Sequence, residues 1–497
     1  MAVVVAIDAG TTGVRTMAVD EAGAPVAMAY QEFPQYFPRP GWVEHDAIEI
    51  WEAVAATLGR VVRQVAQPVA AIGLTNQRET VVLWDRGTGR PLHRAIVWQD
   101  RRTAGRCDEL RDAGHLPEVR SRTGLVLDPY FSATKLEWLL TEGGVERTAD
   151  LAFGTVDSWI LWQLTGGRGR VHATDPSNAS RTLLYDIRDR GWSGELADLF
   201  GVPLACLPEV RPSSGRFGLT DGDAVAGLAA GVPVSGVAGD QAAALFGQAC
   251  FRPGMTKNTY GTGSFVLMHV GDAAPEPVEG LLTSVAWVLE RPATVAYALE
   301  GAVFTSGAAI QWLRDGLGII DRAADVGPLA AGLDDTEGVY LVPAFTGLGS
   351  PWWDPYARGT VVGLTRGVGR AHLARAVVEA MAYRTRDVVA AMTAATGHPV
   401  TALRADGGAS VMDLLLQLQA DQLGITVTRP RVTETTALGA AWLAGLAEGV
   451  WGSLAELTGM WAADVELAPR GGGDAKYETW LRAVERSRGW ERTGRGA

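Results

Sequence analysis

Cysteine is scarce in this chain. Cys107, Cys206 and Cys250 are the only three in 497 residues, odd in number, scattered and without C-x-x-C spacing. That excludes a disulfide framework and a structural zinc site, and a reducing, cytoplasmic location is expected. Positive charge is also short: 44 Lys and Arg face 56 Asp and Glu, leaving a formal net charge of −12 and no basic run. Nucleic acid is therefore excluded as a partner, and so is binding to an anionic membrane surface. No apolar run reaches the length of a membrane span, so membrane insertion is not expected. The apolar start, Val3 to Ile7, is broken by Asp8 and has no basic region before it, so it is not read as a signal peptide. The P-loop pattern is missing too.

What is present is ordinary for a globular protein: 47% hydrophobic and 20% charged residues. A chain this long exceeds a single core and implies two domains. The stretch Val3 to Asp20 reads as a strand, a Gly/Thr turn (Gly10-Thr11-Thr12-Gly13) and a returning strand. Its glycines allow a close approach that side chains would block, so backbone N–H groups and the Thr11 and Thr12 hydroxyls can converge on an anion. Asp8 at the strand end and Arg15 on the return supply a carboxylate for a cation and a positive charge for phosphate oxygens. The same pattern recurs in Met255 to Met268 around Gly261-Thr262-Gly263. A turn repeated near half-length implies two similar lobes offering phosphate-binding hairpins to one cleft. The expected division is 1–248, 249–450 and a C-terminal extension, 451–497.

Other segments carry candidate chemistry. Asp46 reads as the N-cap of a helix whose apolar face includes Trp51, Val54, Leu58 and Val61. Val69 to Asp85 reads as two strands joined by a polar segment with Arg78 and Glu79 adjacent on extended backbone. They would point to opposite sides, each needing its own partner; a small polyol would satisfy both, and solvation at a strand end is the alternative. Trp98 ends another short strand and lines the same pocket or belongs to the core. Tyr130 lies in a loop before an amphipathic helix, and a further helix is read over 156–164. Thr174 to Arg181 is too irregular to assign, and 201–236, rich in Gly and Pro, reads as surface connections. Asp240 and Gln241 follow a buried strand and a Gly turn. A carboxylate there can take a proton from a hydroxyl or cap the following helix. In the second lobe, a helix with a small-residue start at Ser306-Gly307 offers free N–H groups to phosphate or ribose. A long helix is read over 372–394, followed by a strand, the Gly407-Gly408 turn and another helix. From Trp451 onward periodic signals are weak, and the Gly/Arg-rich end reads as frayed.

Taken together these segments resemble the FGGY carbohydrate kinases, and within that family the members that act on glycerol. Tyr130-x-Ser132-x-x-Lys135-Leu136-x-Trp138-Leu139 is similar to the first family signature. Gly359-x-Val361-x-Gly363-Leu364, followed after seven residues by His372-Leu373-x-x-Ala376-Val377-Val378-Glu379, is similar to the second. The resemblance implies an α/β fold of two actin-like, ribonuclease H-type domains with ATP and Mg²⁺ between them, and phosphorylation of glycerol. It implies that Arg78, Glu79, Tyr130, Asp240 and Gln241 hold glycerol, with Trp98 and Phe265 covering its carbons, and that Asp240 is the catalytic base. Thr11, Thr12, Gly13, Arg15 and Thr262 would meet the phosphates, Gly307, Gln311 and Gly408 the rest of the nucleotide, and Asp8 and Asp240 the metal. Met412 stands where the family usually places Asn against the nucleotide, and Val14 where a small hydroxyl residue is usual. A homo-oligomer, dimer or tetramer, is expected. Within the family the alternative is a kinase for another short polyol or ketose. The rival from another class is an ATP-driven switch of the actin or chaperone type, which would have no use for a polyol pocket.

Overall fold

The computed structural model describes residues 2–166, 170–397 and 399–491. Among these residues thirteen strands form one continuous sheet. In chain order they are β1 (Val3–Ala9), β2 (Gly13–Asp20), β3 (Pro25–Glu32), β4 (Val69–Asn76), β5 (Ser214–Leu219), β6 (Pro233–Gly239) and β7 (Met255–Tyr260). Next come β8 (Ser264–Gly271), β9 (Leu282–Leu289), β10 (Thr294–Val303), β11 (Ala402–Asp406), β12 (Val427–Pro430) and β13 (Ala463–Leu467).

The first half has the order β3-β2-β1-β4-β6: two antiparallel pairings through the first hairpin, then β4 parallel to β1 and β6 parallel to β4. The second half repeats it as β10-β8-β7-β11-β12, with the same sense at each pairing. The repeated Gly/Thr turn thus marks a repeated sheet topology. Strand β5 carries the sheet across, antiparallel to β6 and touching β9 at Ser214 and Leu289. Residues 201–236 are therefore not only surface connections. The Ser214, Gly215 and Phe217 positions on β5 are buried, because the strand fills the space between the halves.

Two helices fix the halves to each other. Helix Thr435–Ala447, which follows β12, lies against β1, β4 and β6 of the first half and against helix Asp240–Gly247. The approach depends on glycine: a methyl group on Gly439 would sit 1.8 Å from the Ala243 carbonyl oxygen, and one on Gly247 2.0 Å from that of Thr435. No side chain fits in that crossing.

The first helix, Ala47–Gln64, starts as the sequence indicates, with Asp46 accepting from the Ile48 N–H at 2.8 Å. The long helix spans Arg370–Thr396. The C-terminal stretch is more ordered than its weak periodicity suggests. Strand β13 extends the sheet, and helix Gly473–Ser487 buries Trp480 in a stack on Tyr383, with centroids 5.2 Å apart. The Gly/Arg-rich end read as frayed, 492–497, lies outside the described residues. Among the described residues no helix is long and apolar enough to cross a membrane.

Candidate active site

Parallel pairing brings three strand ends to one edge. Asp8 on β1 pairs with Thr75 on β4, which pairs with Ala238 on β6; one residue on, Asn76 meets Gly239. The segments that leave this edge are the turn Gly10 to Thr12, the loop Gln77 to Thr80, and the helix that begins with Asp240 and Gln241. Carboxyl ends of parallel strands are where open α/β sheets bind ligands, because successive loops diverge there and leave a crevice.

The loop after β4 corrects the reading of Arg78 and Glu79 as an extended pair. Glu79 has φ of +62°, and the Thr80 N–H donates to the Arg78 carbonyl at 2.8 Å, the hydrogen bond of a γ-turn. The two side chains consequently meet, with Arg78 Nε 3.9 Å from Glu79 Oε1. Neither is solvated at a strand end: their residues are 4% and 1% exposed. Their partners come from the protein. Arg78 Nη1 and Nη2 donate to Glu300 Oε2 and Oε1 at 2.7 and 2.9 Å, and Arg181 Nε donates to Glu79 Oε1 at 2.6 Å. Arg181 also reaches Glu300 at 3.3 Å and Ser284 Oγ at 3.0 Å. Burial pushes Glu300 up, but Arg181 and Arg78 outweigh it and hold the carboxylate down at about 2.

Asp240 opens the helix that follows β6 as its first residue; Gly239 occupies the N-cap position, and Asp240 Oδ1 accepts from the Gln241 N–H of the first turn at 2.7 Å. The carboxylate lies 3.1 Å from Arg78 Nε and is 31% exposed, so it faces the crevice. Gly239 is required for this pairing, since a methyl group there would fall 2.6 Å from Arg78 Cγ. The neighbouring Gln241 accepts from the buried Lys257 ammonium through Oε1, which leaves its NH₂ end to donate. Burial pulls Lys257 down to about 8, against the attraction of Asp406, Asp240 and Glu300.

An aromatic wall joins this cluster to the first hairpin. Trp98 Nε1 donates to Thr11 Oγ1 at 3.0 Å, and Trp98 meets Tyr130 edge to face at 5.6 Å. Tyr130 in turn lies under the Arg181 guanidinium, 5.3 Å from its ring centre. The Thr12 hydroxyl is at the exposed tip, and Gly13 begins β2. Phe265, on β8, belongs to the apolar cluster that includes Ala238 and Ala242 on either side of Asp240.

Arg15 is committed more tightly than the hairpin alone suggests: its Nη1 is 2.7 Å from Glu434 and 3.9 Å from Asp8. Burial pushes Asp8 up to about 7, with Arg15 opposing and Asp240 and Glu434 reinforcing the shift. Asp8 and Asp240, at the same strand edge, form a carboxylate pair suited to a hard cation. Mg²⁺ fits this set, since it takes one or two carboxylates and completes its shell with phosphate oxygens and water. Among the described residues no group of three or more His, Cys, Asp or Glu is disposed to hold a metal.

The second half supplies a separate cavity of about 670 Å³. Thr262, Gly307, Gln311, Gly408 and Met412 all line it, beside Tyr260 and Ile310. Two local expectations change. The N–H groups of Ser306, Gly307 and Ala308 are not free: they donate to the Thr262 and Gly261 carbonyls at 2.9 to 3.0 Å, clamping the second Gly/Thr turn. After Gly408 the chain makes a 3₁₀ turn, Gly408–Val411, and the α-helix begins only at Asp413, so Met412 reaches the cavity from extended backbone.

The sequence reading did not single out Glu300, Arg181, Lys257 or Glu434. A lone Glu inside the apolar strand Ala298 to Val303 is a signal that it must find a buried cation. Asp175-Pro176 before Arg181 is a helix start, N-cap followed by proline at the first position, so the segment left unassigned is a short buried helix.

Residues 3–247 match the profile of the N-terminal domain of the FGGY family of carbohydrate kinases, and residues 256–448 match that of its C-terminal domain. The chain belongs to the FGGY family of carbohydrate kinases. This FGGY kinase is 52% identical to a glycerol kinase of Bordetella parapertussis (99% of this chain, 98% of the relative). It is 54% identical to one of Dechloromonas aromatica, with 98% of each covered. The crystal structure of Plasmodium falciparum glycerol kinase with ADP superposes with a TM-score of 0.93 at 32% identity, covering 98% of each chain.

Within this FGGY kinase the first signature builds the pocket wall. Lys135, fully buried, donates to the Pro129 and Tyr130 carbonyls at 3.1 and 2.7 Å, and Ser132 Oγ donates to the Glu79 carbonyl at 3.1 Å. These three hydrogen bonds set the loop that presents Tyr130 beside Glu79. The second signature is structural: Glu379 accepts from Arg375 and from the Tyr383 hydroxyl, each at 3.0 Å, inside the long helix.

Proposed function

We propose that this FGGY kinase transfers the γ-phosphoryl group of ATP to a terminal hydroxyl of glycerol, giving sn-glycerol 3-phosphate. The carrying observation is the convergence of Arg78, Glu79 and Asp240 beside the Trp98–Tyr130 pair. A guanidinium and two carboxylates in contact offer donors and acceptors to adjacent hydroxyls, while the aromatic faces suit a short carbon chain. Full-length similarity to glycerol kinases supports the same substrate.

In this reading Arg78, Glu79 and Tyr130 hold the acceptor, Gln241 donates to a hydroxyl, and Trp98 and Phe265 cover the carbons. Asp240, exposed to the crevice, takes the proton of the attacking hydroxyl. Thr11, Thr12, Gly13, Arg15 and Thr262 position the phosphates, and Arg15 offsets charge on the transferring group. Asp8 and Asp240 would hold Mg²⁺, which when bound neutralises phosphate charge. The nucleoside would occupy the cavity lined by Gly307, Gln311, Gly408 and Met412.

Three measurements check this. A substrate panel of glycerol, dihydroxyacetone, erythritol and xylulose should give glycerol the highest kcat/KM, because the pocket pairs two adjacent hydroxyls and is closed by aromatic rings. A higher value for xylulose would overturn the assignment. Asp240→Asn keeps the shape and removes the base, so kcat should fall roughly 10²–10⁴-fold with the melting transition retained; a loss of less than about fivefold would leave Asp240 without a proton-transfer role. Met412 contributes only dispersion to the cavity, so Met412→Asn should add one neutral hydrogen bond. ATP binding by calorimetry should tighten roughly two- to twelvefold, with glycerol affinity unchanged. Equal ATP affinities would place the nucleotide away from residue 412.

A further inference from the structure

Glu300 is 0% exposed and stands among leucines on the ladder, opposite Leu267 on β8 and Leu282 on β9. A carboxylate in that setting is tolerated only if it is paired, and both of its oxygens are taken by the two arginines of the acceptor cluster. The pairing with Arg78 is bidentate, which fixes the plane of the guanidinium as well as its position. Nε is thereby turned to Asp240 at 3.1 Å. Through Arg181 the same carboxylate also sets Glu79, since Arg181 bridges Glu300 and Glu79.

The strand that presents Glu300 has little freedom. Strand β10 is paired on both edges, and just beyond its end the N–H groups of residues 306–308 clamp the turn at Gly261 and Thr262. Arg78 has no such ladder on either side, because it sits in the loop after β4 on the other half of the sheet, 222 residues away in sequence, and Glu300 is the partner that holds both of its terminal nitrogens.

We propose that Glu300 is a positioning residue for the acceptor site: from the second half of the molecule it orients Arg78 directly and Glu79 through Arg181, without touching substrate. Its loss frees Arg78 to swing onto Asp240 and leaves Arg181 to compete for Glu79, so acceptor binding is what suffers. The inference rests on the glycerol-phosphorylating reading.

The test is steady-state kinetics of Glu300→Gln in the full chain, with glycerol and ATP varied separately and thermal melting as a control. Glycerol KM should rise about tenfold or more while ATP KM stays within about twofold. Glu300→Asp, which restores the charge one methylene short, should recover part of the glycerol KM. If Glu300→Gln shows no cooperative melt, Glu300→Asp alone carries the test, with the same one-sided rise in glycerol KM expected. An unchanged glycerol KM overturns the proposal, and so does a parallel worsening of both KM values with a lowered melting temperature, the mark of a purely structural role. Wild type run alongside separates the two levels: wild type that does not phosphorylate glycerol sinks the functional reading and this inference together, whereas active wild type with an unaffected variant sinks only the inference.

Discussion

The ion pair between Arg78 and Glu300 is the contact on which the site depends. Two arginines and two glutamates, none more than 4% exposed, alternate in one buried cluster. Taking such charges out of water costs several kcal/mol per ion after relaxation, on the order of what good pairing returns, so a buried network is weak evidence for added stability. Its effect is geometric. Each guanidinium is held by at least two groups, and of the three carboxylates that these arginines contact, Glu79 and Glu300 are closed off while Asp240 is partly open to the crevice. A fixed fork of donors beside an accessible carboxylate is a site arranged before any ligand arrives.

The sheet makes this arrangement possible. Parallel pairing of β1, β4 and β6 aligns Asp8, the γ-turn at Glu79 and Asp240 at one edge, and the repeat of that topology brings the second Gly/Thr turn and its cavity with it. The halves meet without filler at the Gly247 and Gly439 crossing, where a Cβ would strike backbone oxygen. Close packing there keeps Glu300 of one half within 2.7 Å of Arg78 of the other.

Local chemistry was the legible part. The two hairpins follow from β-branched runs around Gly/Thr turns, the Asp46 cap from its side chain, and Asp8, Arg15, Arg78, Glu79, Asp240 and Gln241 from their polar clustering at strand ends, whereas Phe265, Gln311 and Met412 came only from the family resemblance. Long-range pairing was not legible. Nothing near Arg78 points to Glu300, and the extended backbone assumed for Glu79 gave way to a γ-turn that this pairing and the Arg181 bridge hold in place. Strand β5 was hidden because Gly-rich sequence signals turns, while its burial comes from the neighbours β6 and β9. The helix carrying Trp480 was hidden for the converse reason: its anchor is Tyr383, about a hundred residues earlier, and not its own periodicity.

The central claim is that the acceptor site is assembled by the protein itself, through Glu300, Arg78, Arg181 and Glu79, and does not wait for nucleotide. Calorimetric titration of glycerol into nucleotide-free protein tests this most directly. The account predicts saturable one-to-one binding without ATP. Binding that appears only once ATP or a non-hydrolysable analogue is present would contradict it.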